Sequence, residues 1–183
     1  MAAAGLPYTP ALWTNQPLTL YHGTVDIHVT SILGGVNVGL GRAGTDFGRG
    51  FYTTTLQRQA DTWAWQLAQT MTRRSSPGVK PAVLAFEINR AALAGLEALW
   101  FVRGHYDAAD FWSLIFYCRG GGQAHNRSGS VGAPGNPAWY DIVIGPVAAA
   151  WRQRLTIYDA DQFSFHTSTA AAVLDQGRKW RVV

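Results

Sequence analysis

The sequence predicts an α+β domain, a sheet core flanked by helices. Three observations carry that prediction. Short runs of strand character recur along the chain, at 18–21, 51–54, 82–88, 140–147 and 162–166. Clear helical periodicity is confined to a few stretches, so strands are not regularly alternated with helices. The 183 residues hold no repeats and no linker long enough to divide two domains, so one domain over 1–183 is expected. Residues 1–16 read as an N-terminal extension.

Taken in order, residues 18–21 (Leu-Thr-Leu-Tyr) form a strand that runs into a turn carrying an exposed His22, followed by Gly23-Thr24. Asp46-Phe47-Gly48-Arg49-Gly50 is a glycine-punctuated loop leading into a short strand with Tyr52. Gln57 to Arg74 is the clearest helix. Ala60, Trp63, Ala64, Leu67, Ala68 and Met71 give it one continuous apolar face. Arg73 and Arg74 suit its C-terminal end, and Ser75-Ser76-Pro77-Gly78 stops it. Residues 82–88 form a strand. Asp107 is expected to cap a second helix through Phe111, Trp112, Ile115 and Phe116. Residues 120–137, rich in Gly, Ser and Pro, read as a long mobile loop. The strand at 140–147 ends at Gly145-Pro146, and 162–166 is a short alternating strand. Thr167 caps a last helix, Ser168 to Gln176, closed by Gly177. Residues 180–183 suggest a final edge strand.

Apolar residues make up 48% of the chain and charged residues 14%, a balance that fills a core and argues against disorder. The net charge of +4 permits an anionic ligand, a dinucleotide or a nucleic acid, and requires neither. A generally basic surface is the commoner meaning of such a charge. Cys118 is the single cysteine, so an intramolecular disulfide and a cysteine zinc site are excluded. Its apolar neighbours make it a buried small hydrophobe. The N-terminus lacks the pattern of a secretory signal, and no apolar run is long enough to cross a bilayer. The expectation is a soluble, cytoplasmic chain with no membrane partner; delivery into another cell by a signal-independent system stays open.

His22 and Tyr52, two polar rings on neighbouring strand ends beside a flexible glycine loop, suggest a small-ligand cleft. Gly23 removes side-chain bulk beside His22 and lets a ligand approach the backbone, as do Gly48 and Gly50 around Arg49. Each motif alone is equally well a set of turn glycines. His105, His125, Asp107 and Asp110 fit no common metal spacing, so no metal is expected. Ser164 and His166 share a strand face, which alone does not make a nucleophile and its base. Trp63, Trp65, Trp100 and Trp112 lie in periodic elements and are expected in the core rather than as platforms for bases.

Taken together and in this order, the motifs resemble the ADP-ribosyltransferase superfamily of the diphtheria-toxin and poly(ADP-ribose) polymerase type. Tyr21-His22-Gly23-Thr24 looks like its first-strand His-Gly motif. Phe47-Gly48-Arg49-Gly50-Phe51-Tyr52 looks like the polymerase-type Phe-Gly-Lys-Gly-Ile-Tyr. More narrowly, the chain is similar to bacterial uncharacterised standalone members, which share the helix motif seen here as Gln59-Ala60-Asp61-Thr62-Trp63-Ala64 and the strand from Asp141 to Ala148. The resemblance runs from about residue 18 to residue 174. It implies two small, mostly antiparallel sheets around an NAD cleft with flanking helices. NAD would be the co-substrate, with no metal. His22, Tyr52 and Gln162 would be catalytic, and Gly23, Thr24, Asp46, Phe47, Gly48, Gly50 and Thr53 would bind the cofactor. Gln162 stands where the family has a glutamate, so charge stabilisation at the anomeric carbon is expected to be weaker. Asp161 points to the opposite strand face from Gln162. The acceptor implied is a macromolecule, protein or nucleic acid, and the role that of a bacterial toxin or effector with a cognate antitoxin or immunity protein. NAD hydrolysis, or a binding module for NAD, ADP-ribose or nucleic acid, is the alternative.

Overall fold

The structure is a computed structural model, which describes residues 16–74, 78–102, 108–122, 125 and 139–182. Two small sheets and five helices make an α+β architecture among these residues. The first sheet has strand order β1-β3-β7: β1 is Leu18–Val25, β3 Pro81–Ile88 and β7 Arg178–Val182, all antiparallel. The second has order β2-β6-β5-β4: β2 is Phe51–Thr53, β4 Ala98–Trp100, β5 Ile142–Ala150 and β6 Leu155–Phe165. It is antiparallel except for the β4–β5 pair. The sheets meet at one backbone bridge, Tyr21 to Thr54, through Tyr21 N–H to Thr54 O at 2.7 Å and Thr54 N–H to Tyr21 O at 2.9 Å.

Strand alternation sorts the cores. Leu20, Leu84 and Phe86 of the first sheet face Phe51, Phe163, Phe165 and Ile142 of the second in one main core. Helices α1 (Asp26–Gly34) and α5 (Ser168–Gln176) close that core at its sides. The outer face of the second sheet, with Val143 and Tyr52, packs Phe47 and Phe111, Trp112 and Ile115 of α4 (Ala108–Arg119). The outer face of the first sheet receives α2 (Gln57–Arg74) through Ala60, Ala64 and Val83. No helix among the described residues is long and apolar enough to cross a membrane.

Several expectations change. His22 lies inside β1, paired with Leu84, and is half-buried rather than exposed in a turn. The strand continues because Thr24 and Val25 both have buried sites to fill. The face of α2 is narrower than its periodicity suggests: Ala60, Ala64 and Ala68 are buried, while Trp63 is 58% exposed. Trp65 and Trp100 are also exposed, at 58% and 57%, and of the four tryptophans only Trp112 is buried. Strand β5 does not end at Gly145-Pro146 but runs to Ala150 with register shifts after Pro146 and after Ala148. Strand β6 starts at Leu155, seven residues before the expected one, and stops before His166. Helix α1, the short helix α3 (Arg90–Ala94) and β4 add to the expected elements. Asp107, His105, residues 75–77, and most of 1–16 and of 120–137 lie outside the described residues.

Candidate functional site

Two clusters form around the sequence motifs, on opposite faces of β2. The first sits where the sheets touch. The His22 ring stacks on Phe51, with centroids 4.2 Å apart, and its Nδ1 lies 2.7 Å from the backbone oxygen of Tyr52. Burial pushes the His22 pKa down to about 4, against the smaller opposing effect of that carbonyl. The ring is therefore neutral at pH 7. A carbonyl oxygen only accepts, so Nδ1 carries the proton and Nε2 presents a lone pair. Among the described residues no fully buried side-chain nitrogen or oxygen lacks a partner. Nε2 makes no hydrogen bond to a described residue, so it is left as an acceptor that is not fully buried.

Gly23 follows on the same strand. A Cβ there would lie 2.2 Å from the Ala60 oxygen and 3.0 Å from the Ala64 nitrogen. Glycine is required because the α2 backbone rides directly on β1. The backbone tells a second story. Tyr21 turns its N–H and C=O toward Thr54, away from β3. Alternation turns those of Gly23 the same way, past the end of β2. No described residue takes them up, and Gly23 is buried. Buried backbone groups are normally paired, and this edge offers one donor and one acceptor side by side. Thr24, 3% exposed, shares the His22 face.

Across the seam stands Asp161. Its Oδ1 accepts from Thr54 Oγ1 at 2.5 Å and from Thr55 N–H at 2.9 Å, and its Oδ2 accepts from Thr55 Oγ1. Gln59, in the first turn of α2, clasps its backbone: Nε2 donates to Asp161 O at 2.7 Å and Oε1 accepts from Asp161 N–H at 3.2 Å. Asp161 shares strand parity with Phe163 and Phe165, and hence the face of Phe51 and His22.

The second cluster is the glycine loop, closed by the protein itself. The Tyr52 hydroxyl donates to Gly48 O at 2.6 Å, accepts from Phe47 N–H at 3.0 Å and lies 2.8 Å from Thr45 Oγ1. Burial raises its pKa, so it stays a phenol. Asp46, 4% exposed, pairs with Arg119 through Oδ1 (2.9 Å to Nε, 2.5 Å to Nη2). Its Oδ2 accepts from Ala148 N–H at 2.8 Å and Gln162 Nε2 at 2.8 Å. Gln162 Nε2 also donates to Pro146 O at 2.9 Å. Two acceptors around the nitrogen fix the amide orientation. Phe47 is fully buried, Thr53 bonds Phe163 O at 3.3 Å, and Arg49 is exposed. A Cβ on Gly48 (φ +81°) would meet Trp139 at 2.8 Å, and one on Gly50 would meet His166 Nδ1 at 2.7 Å. These glycines admit the protein's own rings.

The rings that fill this cluster include His125 and His166, which in sequence stand only as an ill-spaced metal candidate and as the strand-face neighbour of Ser164, and Trp139, which has no sequence signal. His166 Nδ1 lies 2.8 Å from Arg49 O and its Nε2 2.8 Å from Ser164 Oγ, so Ser164 donates to a neutral imidazole. Ser164 is fully buried, beyond reach of a substrate. Burial, with His125 alongside, lowers the His166 pKa to about 3. His125 Nε2 lies 2.8 Å from Phe47 O and its Nδ1 accepts from Tyr140 N–H at 3.1 Å. Both its nitrogens are engaged, and burial lowers its pKa to about 4. Trp139 stacks on His166 at 5.3 Å. Among the described residues no group of three His, Cys, Asp or Glu side chains is arranged to hold a metal. Burial raises the Cys118 pKa to about 12, leaving an unreactive thiol. A groove of about 660 Å³ between α2 and β7, lined by Gln57, Trp65, Val83 and Arg181 among others, contains none of these side chains.

Residues 18–176 match a family model described as a protein of unknown function (DUF3990). The chain belongs to that family. The DUF3990 match begins at β1 and ends with α5, so it takes in both clusters and leaves out β7. No curated protein and no solved structure matches the chain.

Proposed function

We propose that the chain is an NAD-dependent ADP-ribosyltransferase whose reacting site lies at the seam of the two sheets. The observation that carries this reading is the pair of open groups on β1: the Nε2 lone pair of His22 and the unpaired N–H and C=O of Gly23. A carboxamide presents one oxygen acceptor and one N–H donor side by side, and nicotinamide carries such a group. A ribose hydroxyl supplies the proton that a neutral Nε2 accepts. The motifs that resemble the superfamily run in the expected order through the elements that meet here.

In this reading the nicotinamide lies along Gly23 and a ribose hydroxyl donates to His22. The bond between the anomeric carbon and the pyridinium nitrogen breaks. Its electron pair leaves with nicotinamide and cancels the ring's positive charge. A nucleophile on the acceptor then bonds the carbon and sheds its proton. The protein supplies position and a local charge. Asp161 is the better carboxylate for that charge, because it stands on the His22 face whereas Gln162 stands on the Tyr52 face. Three hydrogen bonds occupy part of its capacity of about four, leaving room for one ligand hydroxyl. Tyr52 holds the glycine loop and acts as a positioning residue.

The test is release of nicotinamide from doubly labelled NAD, with and without cell lysate. His22→Ala and Asp161→Asn should each lower release about 100-fold or more, and label should move to a macromolecule. If Asp161→Asn is silent while Gln162→Ala abolishes release, the third position belongs to Gln162. Free ADP-ribose alone would indicate a hydrolase. Binding of NAD without release would indicate a binding module.

A further inference from the structure

The turn between β5 and β6 and the C-terminal half of α4 build a surface that the NAD reading does not use. Residues Trp151–Gln153 form a short 3₁₀ turn. Trp151 meets Phe116 of α4 edge to face, with centroids 5.2 Å apart. The Arg152 guanidinium lies 5.2 Å from the Trp151 ring centroid, and that of Arg154 lies 5.9 Å from the Phe116 centroid. Both arginines are exposed, and neither has an ion pair among the described residues. Acids near this end are already engaged, Asp46 with Arg119 and Asp159 with Arg58. Phe116 and Leu155 are exposed, at 38% and 57%, and so is Tyr117, the next residue after Phe116 on α4, at 40%.

Arg154 adds an independent sign. It adopts φ +55°, ψ +43° at the end of the turn. This left-handed conformation favours glycine or asparagine over a long side chain. An arginine there keeps its side chain at a conformational cost.

We infer that this surface binds single-stranded nucleic acid, with phosphates on Arg152 and Arg154 and bases against the guanidinium planes and the rings of Phe116, Tyr117 and Trp151. Guanidinium forks match phosphate oxygens, and base–aromatic stacking tolerates any sequence. A duplex hides its base faces, and the carboxylates of an acidic peptide have no ring face to stack. The inference does not rest on the NAD reading. Strand β6 does continue from here to Asp161, about 20 Å away at roughly 3.3 Å per residue, a span that a few nucleotides cover.

The experiment is fluorescence anisotropy of labelled oligothymidylate and oligouridylate of about a dozen nucleotides, and of a duplex of equal length, between about 50 and 200 mM salt. The full chain should bind the single strands more tightly than the duplex. Arg152→Ala with Arg154→Ala should weaken single-strand binding at least about tenfold and flatten the salt slope by about 1.4, two phosphates' worth. Arg154→Gly should weaken binding while Tm holds or rises, which separates a lost contact from a lost fold. Arg73→Ala with Arg74→Ala, at the far end of α2, should leave binding unchanged. Absence of saturable binding overturns the inference. So do equal affinity for the duplex, an unaffected Arg152/Arg154 variant, or an equal loss in the Arg73/Arg74 variant.

Discussion

Gln162 and His22 differ in what their hydrogen bonds leave free. Nδ1 of His22 is committed to a carbonyl, so Nε2 remains an acceptor. Gln162 commits its whole amide nitrogen to Asp46 and Pro146 O. A glutamate in its place has two oxygens where two acceptors already point inward. It would set a second carboxylate against buried Asp46 at hydrogen-bond distance and leave Pro146 O without its donor. Gln162→Glu is therefore expected to destabilise the fold by about 3 kcal/mol rather than to improve charge stabilisation. Urea unfolding at pH 7 checks this. A variant as stable as the parent would mean that the amide network does not hold the loop. In sequence, the comparison for this position is the glutamate of the superfamily that the motifs resemble. The proposed preference for Asp161 over Gln162 rests on which face of β6 looks at β1, and that depends on pairing with β2 and β5.

At the scale of elements, legibility follows local signal. Helix α2 has the expected bounds because eighteen residues carry one periodicity and basic residues in the last turn. Helix α5 is equally clear from its cap: Thr167 Oγ1 accepts from Ala170 N–H at 3.1 Å. Its closing glycine has another reason than a left-handed cap. Gly177 has φ −79°, and a Cβ there would lie 2.0 Å from Glu87 O. Helix α1 carries β-branched Ile27, Val29, Thr30 and Ile32, buries no residue fully, and has little sequence signature. The site was half legible. The sequence marks the glycines, yet their reason, close approach of α2 or of buried rings, comes from tertiary contact. This gives a test at the element scale. Gly23→Ala places a methyl against the Ala60 carbonyl, which belongs to helix backbone and has no rotamer to yield. The variant is expected to lose about 2 kcal/mol or more in urea unfolding. Gly34→Ala, with nothing within 4 Å of its Cβ, should be neutral or slightly stabilising. Equal behaviour of the two would mean that α2 does not ride on β1.

At the scale of the molecule, the buried histidines tie stability to pH. His125 and His166 are 8% and 7% exposed, with centroids 4.5 Å apart, and both bond a backbone carbonyl. Tyr52 and Trp139 face His166, and the nearest charged residue on the loop, Arg49, turns its carbonyl to it. Burial lowers their pKa values to about 4 and about 3, against 6.5 for an unperturbed histidine. A lowered pKa means that the unfolded chain takes up protons first. Stability from the two rings is therefore complete above pH 6.5. It is lost as pH falls from 6.5 toward about 4, where the native state begins to protonate. At about 1.36 kcal/mol per unit, each ring costs about 2 kcal/mol between pH 7 and 5, a large part of a typical total of about 5–15 kcal/mol. Carboxylates contribute mainly below about pH 5, so this window reports histidine, with His22, also lowered to about 4 by burial, adding to the two rings in the same direction. Urea midpoints measured from pH 8 to pH 5 should fall steadily below pH 6.5, and the glycine loop should open with the fold because both rings bond its carbonyls. A flat profile to pH 5 would mean that the rings are hydrated in solution and that the closed loop, with Tyr52 at its centre, is not held by them.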